Sequence, residues 1–191
     1  MVREMKNPIV LIGSAPCLYD DFDAMPGWSD WPPIKYDYMA IGTLIIARDE
    51  EFLSLVSWIA ALDIGEDMPK IQQVRGKRKI RVMSWVAMDG VDLVIPMKPP
   101  GLNPPSGWSG SSALLGALGA IRMGYTKIIL CGCPLEGDIP VTPGVRYDVY
   151  QKGWQSHEKQ VRGRVKSMSG WTKTFLGKPT DGWINGRTGT V

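Results

Sequence analysis

Apolar residues along this chain fall in short blocks separated by polar or turn-rich stretches, a pattern of brief buried strands more than of long amphipathic helices. "NPIVLIGSAP" predicts a buried strand from Pro8 to Ile12 running into a Gly-Ser turn. "YDYMAIG" predicts a second strand, and "LVSWIAALD" is read as a third because an acidic, proline-containing break follows it. After that break, "KIQQVRGKR" has helical character, and "KIRVMSW" and "VDLVIPM" predict two further strands. "CLYDDFDAMPGWSDWPP" reads as a polar, turn-rich loop, while "TLIIARDEE" is too short and mixed to assign. The proline-rich "KPPGLNPPSGW" cannot continue a helix or a sheet. A helix is predicted from Ser109 to about Met123, apolar nearly all round and therefore buried, followed by the strand "KIILCG". "GRVKSMSGWTKTFLG" reads as a last strand, a turn at Ser169 and Gly170, and a short helix. Such alternation predicts an α/β fold with a mainly parallel sheet of about six or seven strands and helices on both faces.

Length adds that residues 1–191 form one domain, with the more polar stretch 135–160 expected as a flap over the C-terminal sheet edge. A net charge of +3 is too small to argue for nucleic acid as a partner, and the basic run "RGKRKIR" reads as a solvated loop. Three cysteines make no disulfide framework and suggest a reducing compartment. With no signal-peptide pattern and no apolar run long enough for a membrane span, the expected location is cytoplasmic and no membrane partner is expected. A homo-oligomer is left open.

Candidate chemistry concentrates where strands end. In an open parallel sheet, ligands bind beyond the carboxyl ends of the strands. Gly13, Ser14 and Ala15 follow the first strand, Gly42 and Thr43 the second, Gly132, Pro134 and Glu136 the sixth, and Ser169 and Gly170 the last. The predicted helix opens with Ser109, Gly110, Ser111 and Ser112, small residues with unblocked amides at the positive end of a helix dipole. One serine suffices for a cap, so the cluster is read as a site for a phosphate or carboxylate. Gly116 and Gly119, further along, are read as allowing close approach to a strand. Neither a G-x-G-x-x-G fingerprint after the first strand nor a Walker loop is present.

The stretches "VLIGSAPCL" and "SGSSALLGALGAIRMGYTKIILCGCPL" resemble two blocks of bacterial sialyltransferase-like proteins, a group that includes motility-accessory glycosyltransferases and small prophage proteins. The resemblance covers about a fifth of the chain. It implies a Rossmann-like domain in which Gly13, Ser14 and Ala15 lie near nucleotide phosphates, with Ser109 and Gly110 near the nucleotide. In the glycosyltransferases the donor is a CMP-sugar and a histidine in a lid acts as general base; His157 occupies the corresponding region. Two positions depart from the pattern: Ser14 stands for the family Asn, and Pro134 for the Asp after the strand.

His157 is the only histidine, in the polar "KGWQSHEKQ", where a surface role competes with a catalytic one. No metal site is expected: Cys131 and Cys133 are read as core residues on opposite faces, not as a chelating pair. Cys17 is the one cysteine placed for nucleophilic work, with little around it to support that role. Glu136 and Asp138 either accept from ribose hydroxyls or lie in a solvated turn. Tyr147, Tyr150, Trp154 and Arg146 either hold a base and a phosphate or pack a helix face. The function expected is binding of a small-molecule nucleotide or nucleotide-sugar ligand in a glycosyltransferase-like protein. The alternative is a non-catalytic nucleotide binder, a regulator or phage small-molecule sponge. No further cofactor is identified.

Overall fold

A computed structural model describes residues 6–27, 35–42, 54–96, 111–137 and 147–186. Seven strands form one sheet: β1 (Ile9–Ile12), β2 (Asp37–Ile41), β3 (Trp58–Ala60), β4 (Arg81–Ser84), β5 (Leu93–Val94), β6 (Ile128–Cys131) and β7 (Val165–Ser167). Their order across the sheet is β5-β4-β3-β2-β1-β6-β7, and each neighbouring pair runs parallel. This is a Rossmann-like α/β architecture, with the helices α1 (Leu18–Asp23), α2 (Ile64–Arg75), α3 (Ser112–Arg122), α4 (Tyr147–Ser156), α5 (Glu158–Val161), α6 (Gly170–Leu176) and α7 (Asp181–Ile184) around the sheet.

β1 is central because every one of its side chains is apolar and can be buried on either face. Ile9 and Leu11 point into a core shared with α3, and Val10 and Ile12 into a core shared with α1 and α2. The two cores sort the helices. α1, α2 and α7 bury Leu18, Phe22, Ile64, Met68, Ile71 and Ile184 on one face; α3, α4, α5 and α6 cover the other. β1 to β5 step outward one way and β6 and β7 the other, so the order reverses between β1 and β6.

α3 is the buried helix its composition predicts, with Ala113 to Ala120 all buried. Its glycines let it lie close to the sheet. A Cβ on Gly116 would stand 2.6 Å from Ile41 Cδ1, and one on Gly119 2.1 Å from Met83 Sδ. Cys131 and Cys133 lie in opposite cores, although regular alternation would put residues two apart on one face. β6 stops at Cys131, and Gly132 at φ +66° turns the chain over between them. Burial pushes both thiols up.

Two elements differ from the sequence reading. The stretch read as loop contains α1, whose Leu18 and Phe22, four residues apart, anchor one face. The acidic break before "KIQQVRGKR" is the first half of α2, with Pro69 inside it. Pro69 deprives only the Gly65 carbonyl of its usual donor, and Glu66 and Asp67 favour the start through the helix dipole. "TLIIARDEE", "KPPGLNPPSGW" and the predicted helix start at Ser109 lie outside the described residues.

α1 contributes a buried carboxylate that the sequence reading passed over. Asp21 Oδ2 accepts from Gly132 N and from Ser169 Oγ, both at 2.8 Å, tying α1 to the exits of β6 and β7. Asp21→Ala leaves that amide and hydroxyl without their acceptor and is expected to lower stability by about 2–3 kcal/mol in urea denaturation. Asp21→Asn, which keeps an acceptor oxygen, is expected to recover part of the loss.

Candidate functional site

The C-terminal ends of β1, β2, β3 and β6 surround a cleft of about 420 Å³. β1 contributes Gly13, Ser14 and Ala15; β2 contributes Ile41 and Gly42; β6 contributes Gly132, Cys133, Pro134 and Leu135. The start of α3 enters with Ser111, Ser112 and Ala113. The remaining wall comes from Asp63, Glu66, Asp67 and Lys70 around the start of α2, and from Tyr147 and Tyr150 on α4. The cleft therefore sits at the reversal of strand order, where open α/β sheets leave a crevice.

Gly13 makes this crevice possible. A Cβ there would lie 2.2 Å from Gly132 O and 2.6 Å from Cys133 Sγ, so only glycine lets the β1 and β6 exits meet. The same closeness uses the turn's amides: Gly13 N donates to Cys131 O at 2.8 Å and Ala15 N to Gly132 O at 3.2 Å. Those two N–H groups face the neighbouring turn and not a ligand. The start of α3 and Lys70 bring further donors to the cleft. Ser111 caps that helix, its Oγ accepting from Leu114 N and from Trp154 Nε1, each at 3.2 Å. Ser112 and Ala113, whose first-turn amides precede any intrahelical bond, line the cleft. Ser112 Oγ accepts from Leu62 N at 3.3 Å, fixing the helix start against the exit of β3.

The wall that Asp63 begins carries the carboxylates of Asp63, Glu66 and Asp67 together with Lys70. Burial, then the charges of Asp67 and Glu66, hold the Asp63 carboxyl above its ordinary range. Burial and the nearby Asp63 charge push the Tyr150 phenol up. A carboxyl with a raised pKa in the folded state binds more protons than the unfolded chain. Its contribution to stability therefore falls as pH rises from the ordinary carboxylate value through the raised one. Asp63→Asn is expected to raise the melting temperature at pH 7 and to lose that advantage near pH 3, as thermal melts across that range will read. Among the described residues, no three His, Cys, Asp or Glu side chains converge as a metal-ligand set.

Leu135 is the one non-glycine residue with positive φ among the described residues, at +51°. It lies at the cleft, buried, with its carbonyl accepting from Gln151 Nε2 at 3.0 Å. A left-handed leucine costs about 1–2 kcal/mol, and such strain persists where surrounding structure enforces it.

Of the residues singled out in the sequence, Gly13, Ser14, Ala15, Gly42, Ser111, Ser112, Gly132 and Pro134 line this cleft. Thr43, Ser109, Gly110, Asp138 and Arg146 lie outside the described residues. Glu136 is exposed beyond the cleft wall. Ser169 faces Asp21, and its Oγ is 3.3 Å from Cys17 Sγ; Gly170, at φ +64°, packs on Pro134, where a Cβ would come within 2.4 Å. Burial raises the Cys17 thiol, which keeps it protonated at neutral pH. His157 precedes α5, its Nδ1 2.9 Å from Gly153 O and 3.0 Å from Ser156 Oγ, and it does not line the cleft. The aromatic group on α4 divides: Tyr147 and Tyr150 reach the cleft, and Trp154 is fully buried in the core. Asp63, Glu66, Asp67 and Lys70 escaped the sequence reading, although acids crowding the first turn after a strand are a helix-start signal.

No family model, no curated protein and no solved structure matches this chain. No helix among the described residues is long and apolar enough to cross a membrane.

Proposed function

We propose that this protein binds a nucleotide or nucleotide-sugar in the cleft at the β1/β6 reversal. The observation that carries the reading is the set of groups that meet in that one cleft. The start of α3 and Lys70 line it together with Asp63, Glu66, Asp67, Tyr147 and Tyr150. A nucleotide carries the groups that match them. Its phosphate suits the first-turn amides of Ser112 and Ala113, while ribose hydroxyls and base amines suit carboxylates, and a base suits tyrosine rings. A volume of about 420 Å³ is within the range of small-ligand sites. In this reading Gly13, Ser14 and Ala15 supply a close backbone floor beneath the phosphate.

The resemblance to sialyltransferase-like proteins suggests turnover of a CMP-sugar with His157 as base. Its Nδ1 is held by the Gly153 carbonyl, and His157 lies outside the cleft wall, which favours the non-catalytic reading: the ligand is held, as in a regulator or a sponge.

A thermal-shift panel of CMP-, UDP- and GDP-sugars, mono- and cyclic nucleotides and NAD tests this. A ligand at 100 times its Kd is expected to add about 2.7 kcal/mol of stability and to be recovered intact by mass spectrometry. His157→Ala is expected to leave that shift unchanged. Consumption of a nucleotide-sugar that stops in His157→Ala would establish the transferase instead. Absence of any shift would remove the nucleotide reading.

A further inference from the structure

The edge of the sheet opposite the cleft holds a dense group of positive charge. Trp58 opens β3, Arg81 opens β4, and Asp92 immediately precedes β5. Together with the chain leaving α2, they wall a hollow of about 830 Å³.

That chain, "GKRK" from Gly76 to Lys79, is exposed but held in place. Gly76 N donates to Gln72 O at 3.0 Å, and Lys77 N and Arg78 N both donate to Val74 O, at 3.0 and 3.1 Å. Ile80 is buried beneath it, and Arg81 N donates to Ser57 O at 3.0 Å. The cations of the hollow are thus presented from an ordered backbone. Asp92 is the one acid lining the hollow, and it is already engaged: Arg75 Nη2 lies 3.1 Å from its Oδ2, and Val82 N donates to the same oxygen at 2.7 Å. Among the described residues no carboxylate pairs with Lys77, Arg78 or Lys79. A solvated face normally intersperses both signs of charge; this hollow collects one sign and leaves it uncompensated.

We propose that this hollow is a second binding site, distinct from the cleft, for a small anion carrying several phosphate groups. Lys77, Arg78 and Lys79 supply the charge-assisted hydrogen bonds, and the Arg75–Asp92 pair fixes the wall. Cations gathered on one short loop, not spread along a track, favour a compact anion over a nucleic-acid strand. A single strand also needs aromatic faces for its bases. Trp58, the one aromatic here, is packed against the core with the Arg81 guanidinium 5.5 Å from its ring centre.

Titration calorimetry with tripolyphosphate, orthophosphate and oligothymidylates of increasing length tests the proposal, on the full chain and on Lys77→Glu/Arg78→Glu/Lys79→Glu. Tripolyphosphate is expected to bind at least about tenfold more tightly than orthophosphate, and the triple reversal to weaken it by about tenfold or more, the loss of one or more charged hydrogen bonds. The milder Lys77→Gln/Arg78→Gln/Lys79→Gln variant is expected to weaken binding in the same direction, which serves if the reversal fails to fold. Asp63→Asn in the cleft is expected to leave tripolyphosphate binding unchanged. The proposal is overturned if wild-type protein does not bind tripolyphosphate, or if the loop variants bind it as well as wild type. Affinity that grows with oligothymidylate length while tripolyphosphate stays unbound also overturns it, because the edge would then be a nucleic-acid track.

Discussion

Replacing Trp154 with alanine is expected to lower the stability of the protein by about 3–5 kcal/mol, the usual range for emptying a buried aromatic site. Trp154 is fully buried, on the face of α4 that meets α3, and its indole N–H reaches Ser111 Oγ at 3.2 Å. Two effects therefore combine. The core loses a large side chain with many dispersion contacts, and the cap of α3 loses one of the groups that fix its orientation. For a chain of this size, each kcal/mol is worth about 2–4 °C, so the melting temperature falls by roughly 6–20 °C. Trp154→Phe keeps one ring of the two and removes the N–H, so an intermediate loss of about 2–3 kcal/mol is expected. If Trp154→Ala melts within a degree of wild type, α4 does not pack where it is described.

The second large effect is at Gly13. Gly13→Ala would set a methyl group 2.2 Å from Gly132 O and 2.8 Å from Gly132 C, both backbone atoms of the neighbouring turn. Neither can swing aside as a side chain would, so the β1 and β6 exits must separate. Overpacking of this kind costs about 1–3 kcal/mol, and contact with unyielding backbone places Gly13 at the upper end. The separation also moves the floor of the cleft, so nucleotide affinity is expected to fall together with stability. Gly42→Ala is the informative comparison. Gly42 also lies at the cleft, with φ +71°, but nothing stands within 4 Å of a Cβ there. Only the left-handed backbone penalty applies, about 1–2 kcal/mol, with binding largely kept. Denaturation and ligand titration of the two variants side by side check both statements.

The buried parallel strands were legible because they carry their own signature. Ile9 to Ile12 are apolar at consecutive positions, which a strand covered on both faces demands, and Ile128 to Cys131 repeat the pattern. The turn at Ser169 and Gly170 followed from the Ser-Gly pair itself, after the short strand Val165–Ser167. α1 and the start of α2 were not legible for opposite reasons. α1 spans only six residues, Leu18–Asp23, too few for a helical period to emerge, and Asp21 inside it is buried by contacts from β6 and β7 that lie far off in sequence. In α2, Pro69 masked a helix that tolerates it, so Asp63, Glu66 and Asp67 read as a break instead of a first turn.

The cleft divides along the same line. Its glycine and serine turns announce themselves, because strand ends in a parallel sheet share one edge. Its acidic wall depends on where α2 begins. Tyr147, Tyr150 and Trp154 lie at positions i, i+3 and i+7, on one helix face that bridges core and cleft, and only packing separates the two roles.

In the proposed complex α3 presents its first-turn amides to the phosphate of a nucleotide in the cleft that Asp63 also lines. Amide hydrogen exchange with and without the nucleotide that gives the largest thermal shift tests it most directly. Slowed exchange is expected at Ser112 and Ala113, with smaller protection along Asp63 to Asp67 and at Tyr147 to Tyr150. Protection confined to the Lys77–Lys79 edge, or none at the start of α3, would contradict it.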